Sequence, residues 1–239
     1  MKTRTFENKV VLLTGADGEI GTALIKEMIA RKVRKIYATG IAKERLHQVA
    51  SIFPAHLTPV LLDVTNEDSI RQAVEQCQDV DIVINNAGVE LKSNFTGEQA
   101  GKKALMEMQI NYIGIIHMVN YFLPVLQKGE ESSILNILSV GSHTVINHIA
   151  TYCASKTAAH LLTQSLRPEL ALVGVDIIGV YPGYVDSSMS ADIQTEKITL
   201  VALAQNICTD FEKGLHDIFP DPMSKKLFAQ YPILMPQLD

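Results

Sequence analysis

The sequence predicts a single α/β domain built as a doubly wound parallel sheet with helices on both faces. Three observations carry that prediction. Short β-branched runs alternate with longer amphipathic segments from one end to the other. No linker, repeat or low-complexity stretch interrupts the series, and 239 residues suit one large three-layer core better than two separate ones.

Taken in order, the predicted strands are Val10–Thr14, Lys35–Thr39, Leu57–Leu62, Asp81–Asn85, Ser133–Leu138 and Asp176–Tyr181. Helices are predicted at about Glu19–Arg31, Lys43–Ile52, Glu67–Gln76, Lys102–Leu126 and Thr151–Val173, with further helix after Thr199. Beyond Gly183 the pattern loosens into a polar run from Asp186 to Thr199. This run reads as a substrate loop or lid, within a region of about 184–215, or equally as a plain surface connection. The tail, with Pro220, Pro222, Pro232 and Pro236, has no legible pattern.

Bulk composition narrows the function. Hydrophobic residues make up 47% and charged residues 20%, which is ordinary for a globular protein. A net charge of -5 with scattered Lys and Arg offers no basic field for a phosphate backbone, so no nucleic-acid partner is expected. Cys77, Cys153 and Cys208 are far apart and odd in number. They suggest neither a disulfide framework nor a metal site, and reduced thiols in a cytoplasmic protein fit them best. No apolar stretch reaches the length of a membrane span, and no signal-peptide core precedes the first strand, so neither membrane insertion nor secretion is expected.

Two sets of residues carry chemistry. The first strand runs directly into Thr14-Gly15-Ala16-Asp17-Gly18-Glu19-Ile20-Gly21 and a helix. There Gly15 can take the tight turn, Gly18 can let the backbone approach a pyrophosphate, and Gly21 can let helix and sheet pack closely. A purely structural βα corner would use the same residues. Asp63, with Val64 after it, closes the third strand at the carboxyl edge of the sheet, where ligands of open α/β sheets bind, or merely caps the next turn. Asn85-Asn86-Ala87-Gly88 ends the fourth strand either as a ribose- or ring-facing segment or as a plain turn.

The second set centres on Tyr152-Cys153-Ala154-Ser155-Lys156. Four residues at about 100° each put Tyr152 and Lys156 within roughly 40° of one another on a helix, one turn apart. A phenol titrates near 10, and a neighbouring ammonium favours its ionised form. An ordinary solvated pair has the same spacing. Ser139 lies just past the fifth strand, where a hydroxyl can meet a substrate oxygen, and Asn111 sits inside the long apolar helix, where a side-chain amide needs partners.

In order and identity these motifs resemble the short-chain dehydrogenase/reductase family from about Phe6 to Ser190, with Tyr181-Pro182-Gly183 as the last of them. The resemblance implies a Rossmann-type fold and an NAD(P)-dependent oxidoreductase moving a hydride between the nicotinamide and a carbonyl or alcohol. It also implies a role for each residue. Tyr152 would be the general acid or base, and Ser139 would polarise the substrate oxygen. Lys156 would tune Tyr152 and hold the nicotinamide ribose. Asn111, through a kinked helix and a water, would complete a proton relay. Around the cofactor it implies Gly15, Asp17, Gly18, Glu19, Ile20 and Gly21, then Asp63 and Val64 at the adenine. Asn85, Ala87 and Gly88 would line it, and Tyr152, Lys156, Pro182, Gly183, Val185 and Ser187 would meet the nicotinamide end. A homotetramer or homodimer built on the long helices is implied as well.

Two departures stand out. Most members read Thr-Gly-x-x-x-Gly-x-Gly, whereas here Glu19 occupies the central glycine place and the glycine falls one earlier, at Gly18; Glu19 should therefore point away from a pyrophosphate. After the second strand, Thr39-Gly40-Ile41-Ala42 lacks the acid that would hold the ribose hydroxyls of NAD, which leans towards NADP with Lys43 or Arg45 as phosphate partners. The alternatives are a catalytically silent nicotinamide-binding regulator and, last, an epimerase or dehydratase suggested by the glycine spacing. His143, Asn147 and His148, between Ser139 and Tyr152, read as surface-loop positions in preference to substrate contacts.

Overall fold

The computed structural model describes residues 3–230. Seven strands form one all-parallel sheet in the order β3-β2-β1-β4-β5-β6-β7, with β1 at Val10–Thr14, β2 at Lys35–Gly40, β3 at Leu57–Leu61, β4 at Ile82–Asn85, β5 at Ser132–Ile137, β6 at Val175–Val180 and β7 at Asp217–Ile218. The first strand pairs with β2 on one side, Val10 opposite Lys35, and with β4 on the other, Val11 opposite Ile82. The winding reverses at that point, which opens a crevice at the carboxyl ends of β1 and β4.

Alternation along the strands divides the core in two. Val11, Leu13, Ile36, Ala38 and Ile84 face one side, packing beneath α1 (Glu19–Ala30), α2 (Lys43–Ile52) and α7 (Leu200–Glu212). Val10, Leu12, Tyr37 and Val83 face the other, under α3 (Glu67–Gln76), α5 (Gly114–Leu126) and α6 (Ala150–Ala171). Both faces being covered, β1 is buried along its whole length, which is why it reads as a continuous apolar run.

The structure differs from the sequence reading in four places. The helix expected over Lys102–Leu126 is α4 (Ala100–Met108), a π-helical turn over Gln109–Ile113 that carries Asn111, then α5. The seventh strand was not anticipated, because two residues carry no periodicity. Helix α8 (Pro222–Gln230) begins in the tail, and Pro232 and Pro236 lie outside the described residues. The region of about 184–215 divides: 184–199 crosses the carboxyl edge of the sheet, whereas α7 buries Leu203, Ala204, Ile207, Cys208 and Phe211 in the core and is no lid.

Candidate active site

The glycine-rich turn forms the floor of a cleft of about 460 Å³ at the carboxyl edge. Gly15 has a φ of +62°, a left-handed conformation that a side chain would strain. At Gly21 a Cβ would stand 2.3 Å from the Gly15 carbonyl oxygen, so only glycine lets α1 pack this close to the turn. Gly18 caps α1 without any side-chain hydrogen bond, leaving the amino-terminal N–H groups free to face an anion. Asn86 braces the turn from β4: its Nδ2 donates to the carbonyls of Thr14 and Gly15, at 2.9 and 3.1 Å.

Gly15, Asp17, Gly18, Glu19, Ile20 and Gly21 all line this cleft, as do Asp63 and Val64, Ala87 and Gly88, and Ser187. Asp63 also serves its local turn, accepting hydrogen bonds from the N–H and hydroxyl of Thr65; the side chain that caps α3 is Asn66. Asn85 does not reach the cleft. Its side chain is buried and donates to Asn136 Oδ1 at 2.8 Å, because the strand alternation turns Asn85 inward and presents Asn86 instead. Of the two cations offered after β2, Lys43 and Arg45, the structure selects Arg45, in the first turn of α2. Its guanidinium is 3.2 Å from the Asp17 carboxylate and it lines the cleft beside Gly40 and Ile41, whereas Lys43 does not.

A second, smaller cavity of about 120 Å³ adjoins the first and shares Ile20, Asn86, Gly88, Ser187 and Met189 with it. Ser139, Tyr152 and Lys156 converge on it, with Pro182, Gly183 and Val185 opposite. Ser139 leaves β5 and caps a short turn through its hydroxyl, which accepts from the Gly141 N–H at 3.0 Å. Tyr152 and Lys156 come from the first turns of α6, both buried. The Lys156 ammonium donates to the Ile137 carbonyl at 2.8 Å and lies 5.7 Å from the Tyr152 ring centre. Gly183 is fixed by a residue not anticipated: its N–H donates to the buried Asp221 carboxylate at 2.7 Å.

Burial dominates the electrostatics here. It pushes the Lys156 ammonium down to about 8 and the Tyr152 phenol above its ordinary value, with the Ser139 hydroxyl pulling the phenol back in part. Lys156 is not among the largest influences on the phenol in this geometry.

Asn111 lines neither cavity. At the π-helical turn its amide donates to the Val89 carbonyl and the Ser155 hydroxyl and accepts from the Val89 N–H, all at 2.9 Å. Every polar atom of that buried side chain is therefore engaged with the segment after β4 and with the helix of Tyr152.

Segment 184–199 lies across both cavities and is pinned at two points. Glu19 turns towards it and accepts hydrogen bonds from the N–H and hydroxyl of Ser188, at 2.9 and 2.6 Å. Those bonds hold the Glu19 carboxyl below its usual range. Lys92 pairs with Asp192 at 2.9 Å. Met189 lines both cavities. His143 points to the rear, edge-on to His160 with ring centres 4.4 Å apart, while Asn147 and His148 are exposed; none of the three lines the substrate-side cavity.

Comparison with known proteins gives the family. The profile of the short chain dehydrogenases matches residues 9–198. The chain belongs to the short-chain dehydrogenase family. An uncharacterized oxidoreductase of Staphylococcus saprophyticus is 33% identical over 195 residues, covering 78% of this chain and 82% of the relative. The crystal structure of a short chain dehydrogenase from Burkholderia cenocepacia, in complex with NADP, is 30% identical with a TM-score of 0.88, covering 95% of this chain and 93% of that one. A short-chain dehydrogenase/reductase from Burkholderia phymatum in complex with NAD shares the fold at 20% identity and a TM-score of 0.81, covering 99% of this chain and 100% of that one. Among the described residues of this short-chain dehydrogenase, no helix is long and apolar enough to cross a membrane.

Proposed function

We propose that this short-chain dehydrogenase interconverts a carbonyl and an alcohol with a nicotinamide cofactor, Tyr152 moving the proton. One observation carries the reading: Ser139, Tyr152 and Lys156 meet in a small cavity whose wall is shared with the glycine-floored cleft. The cleft fits a dinucleotide, with uncapped N–H groups at the start of α1 for the pyrophosphate and a turn whose glycines let the backbone close up beneath it. The cofactor, when bound, supplies or accepts the hydride.

The chain supplies position and protons. Tyr152 gives its phenolic proton to the nascent alkoxide in reduction and recovers it in oxidation. Ser139 donates a hydrogen bond to the same substrate oxygen. Lys156 keeps N–H donors beyond the one spent on Ile137, available to ribose hydroxyls and to charge developing on Tyr152. Asn111 ties the helix of Tyr152, through Ser155, to the segment after β4, and its π-helical turn is the point through which a relay to solvent would pass.

Arg45, the one cation among the described residues on the cleft wall beyond β2, favours NADP over NAD, and the NADP complex of the 30%-identical relative supports that preference. Segment 184–199 acts as the lid. Association through the long helices gives a homodimer or homotetramer; exposed Leu105 and Met106 on α4 and Leu161 on α6 support it, and light scattering at a multiple of 26.3 kDa is the expected result.

The test follows nicotinamide absorbance against a panel of ketones, aldehydes and alcohols, with Tyr152→Phe beside the wild type. Turnover that falls by about 10²-fold or more in the variant is expected; undiminished turnover would remove Tyr152 from the chemistry.

A further inference from the structure

Glu90 has no place in the proton chemistry, yet it lines the substrate-side cavity with Ser139, Tyr152 and Lys156. The remaining walls are largely apolar, formed by side chains such as Ile146, Ile149 and Val185, and Glu90 is the one carboxylate there among the described residues. It is half-buried, and its charge reaches both Tyr152 and Tyr184, disfavouring their ionised forms.

The backbone around Glu90 is held from behind. Asn111 bonds both the N–H and the carbonyl of Val89, and Glu107, one helical turn earlier, accepts from the Leu91 N–H at 2.8 Å. Glu107 is wholly buried, so these bonds fix the two residues flanking Glu90 and leave its carboxylate at the cavity wall. The charges around it are Lys92, His148, Asp192 and Glu107. Lys92 is already paired with Asp192, and Glu107 adds a second negative charge behind. With Lys92 paired to Asp192 and the Lys156 ammonium of the same cavity bonded to the Ile137 carbonyl, the Glu90 carboxylate at its apolar wall favours a ligand group that donates to it, and repels one of its own sign.

Resting on the oxidoreductase reading above, we propose that Glu90 selects the substrate: the cavity takes a small alcohol or ketone carrying a second hydrogen-bond donor, a hydroxyl or an ammonium, near the reacting carbon, and rejects the corresponding carboxylate. Glu90 is then a specificity-determining residue that touches substrate without taking part in hydride or proton transfer.

The experiment oxidises four stable alcohols of equal chain length with NADP⁺: the unsubstituted secondary alcohol, the vicinal diol, the amino alcohol and the α-hydroxy acid. Ratios of kcat/KM are compared within each of wild type, Glu90→Gln and Tyr152→Phe. A ratio taken within one variant is unaffected by how much of it folds. The wild type should prefer the diol or amino alcohol over the hydroxy acid, and Glu90→Gln should shrink that preference by at least about tenfold. An amino alcohol ahead of the diol identifies charge pairing, and the reverse identifies neutral hydrogen bonding. Calorimetric titration of the preferred ligand into the NADP⁺-bound Tyr152→Phe protein gives binding without turnover; adding Glu90→Gln should weaken it by a similar factor. Ratios and binding unchanged by Glu90→Gln, with turnover still dependent on Tyr152, would overturn the role of Glu90 and leave the oxidoreductase reading standing. Absence of turnover and of binding for all four compounds would overturn both.

Discussion

The two cavities at the carboxyl edge of the sheet are built from different materials. The larger is floored by backbone: three glycines, an uncapped helix start and an amide brace from Asn86. The smaller is defined by side chains, with buried Tyr152 and Lys156, Ser139 and Glu90 facing one another across apolar walls. A backbone site depends on how closely the chain can approach itself, so adding one carbon is enough to damage it. A side-chain site depends on ionisation and donors, so an isosteric change can abolish its chemistry while the fold persists.

Gly21→Ala should sharpen that contrast most. The added Cβ would lie 2.3 Å from the Gly15 carbonyl and 2.9 Å from the Ala16 Cα, so α1 must move off the turn. Overpacking of this kind costs about 1–3 kcal/mol, which should appear as a melting temperature lowered by roughly 3–10 °C together with weakened cofactor binding. An unchanged melting curve would contradict the close packing described.

On the side-chain half, the test is pH. Lys156 titrates near 8 in the folded protein, below its ordinary 10.5, because burial opposes its charge. Below 8 it is charged in both folded and unfolded chains, and its burial penalty is present in full. Between 8 and about 10.5 the unfolded chain holds the extra proton, so this group's contribution to stability rises with pH there. In the folded protein the positive charge and one of the three N–H donors are lost as pH passes about 8. Cofactor affinity, measured by fluorescence titration, should therefore fall as pH rises through about 8, and Lys156→Met should bind weakly with that dependence removed.

The pin between the two regions should give the smallest effect. Glu19→Gln weakens two bonds to Ser188 that stand on the surface, so the change should be a few-fold, near the 1 kcal/mol scale of exposed charge-assisted bonds. It should raise the KM for cofactor and leave the melting temperature nearly constant. A stability loss as large as that of Gly21→Ala would make Glu19 a structural residue and not a lid contact.

The two halves were unequally legible in the sequence. The strands and the glycine turn could be read because they obey local rules: an apolar run where both faces are covered, and glycine where the backbone turns or closes up. Glu19 departs from the usual glycine spacing, and the sequence supplied the sign of the repulsion but not the partner, since Ser188 lies 169 residues away. Asn85 and Asn86 were interchangeable as letters; the pairing of β4 with β5 decides which one is buried against Asn136. Arg45 was named only as one of two cations, and its pairing with Asp17 depends on how α2 crosses the turn after β1. Glu90 and Glu107 carried no local signal beyond their charge. The strand β7 was hidden because its two residues are set by pairing with Gly179 and Val180. Helix α8 did have a signal that went unread: Asp221 before Pro222, with its carboxylate accepting from the Ser224 N–H at 2.8 Å, is an ordinary helix start.

The division of labour between the cavities is tested most directly by a crossed measurement on two variants, Tyr152→Phe and Arg45→Ala. NADPH affinity and the single-turnover rate of hydride transfer at saturating cofactor are measured on the same preparations. Tyr152→Phe should hold affinity within about threefold and lose about 10²-fold or more in rate. Arg45→Ala should lose about tenfold in NADPH affinity, with NADH little changed and the rate at saturation retained. Variants that each lose affinity and rate together would contradict the proposed separation of a backbone-built cofactor site from a side-chain-built chemical one.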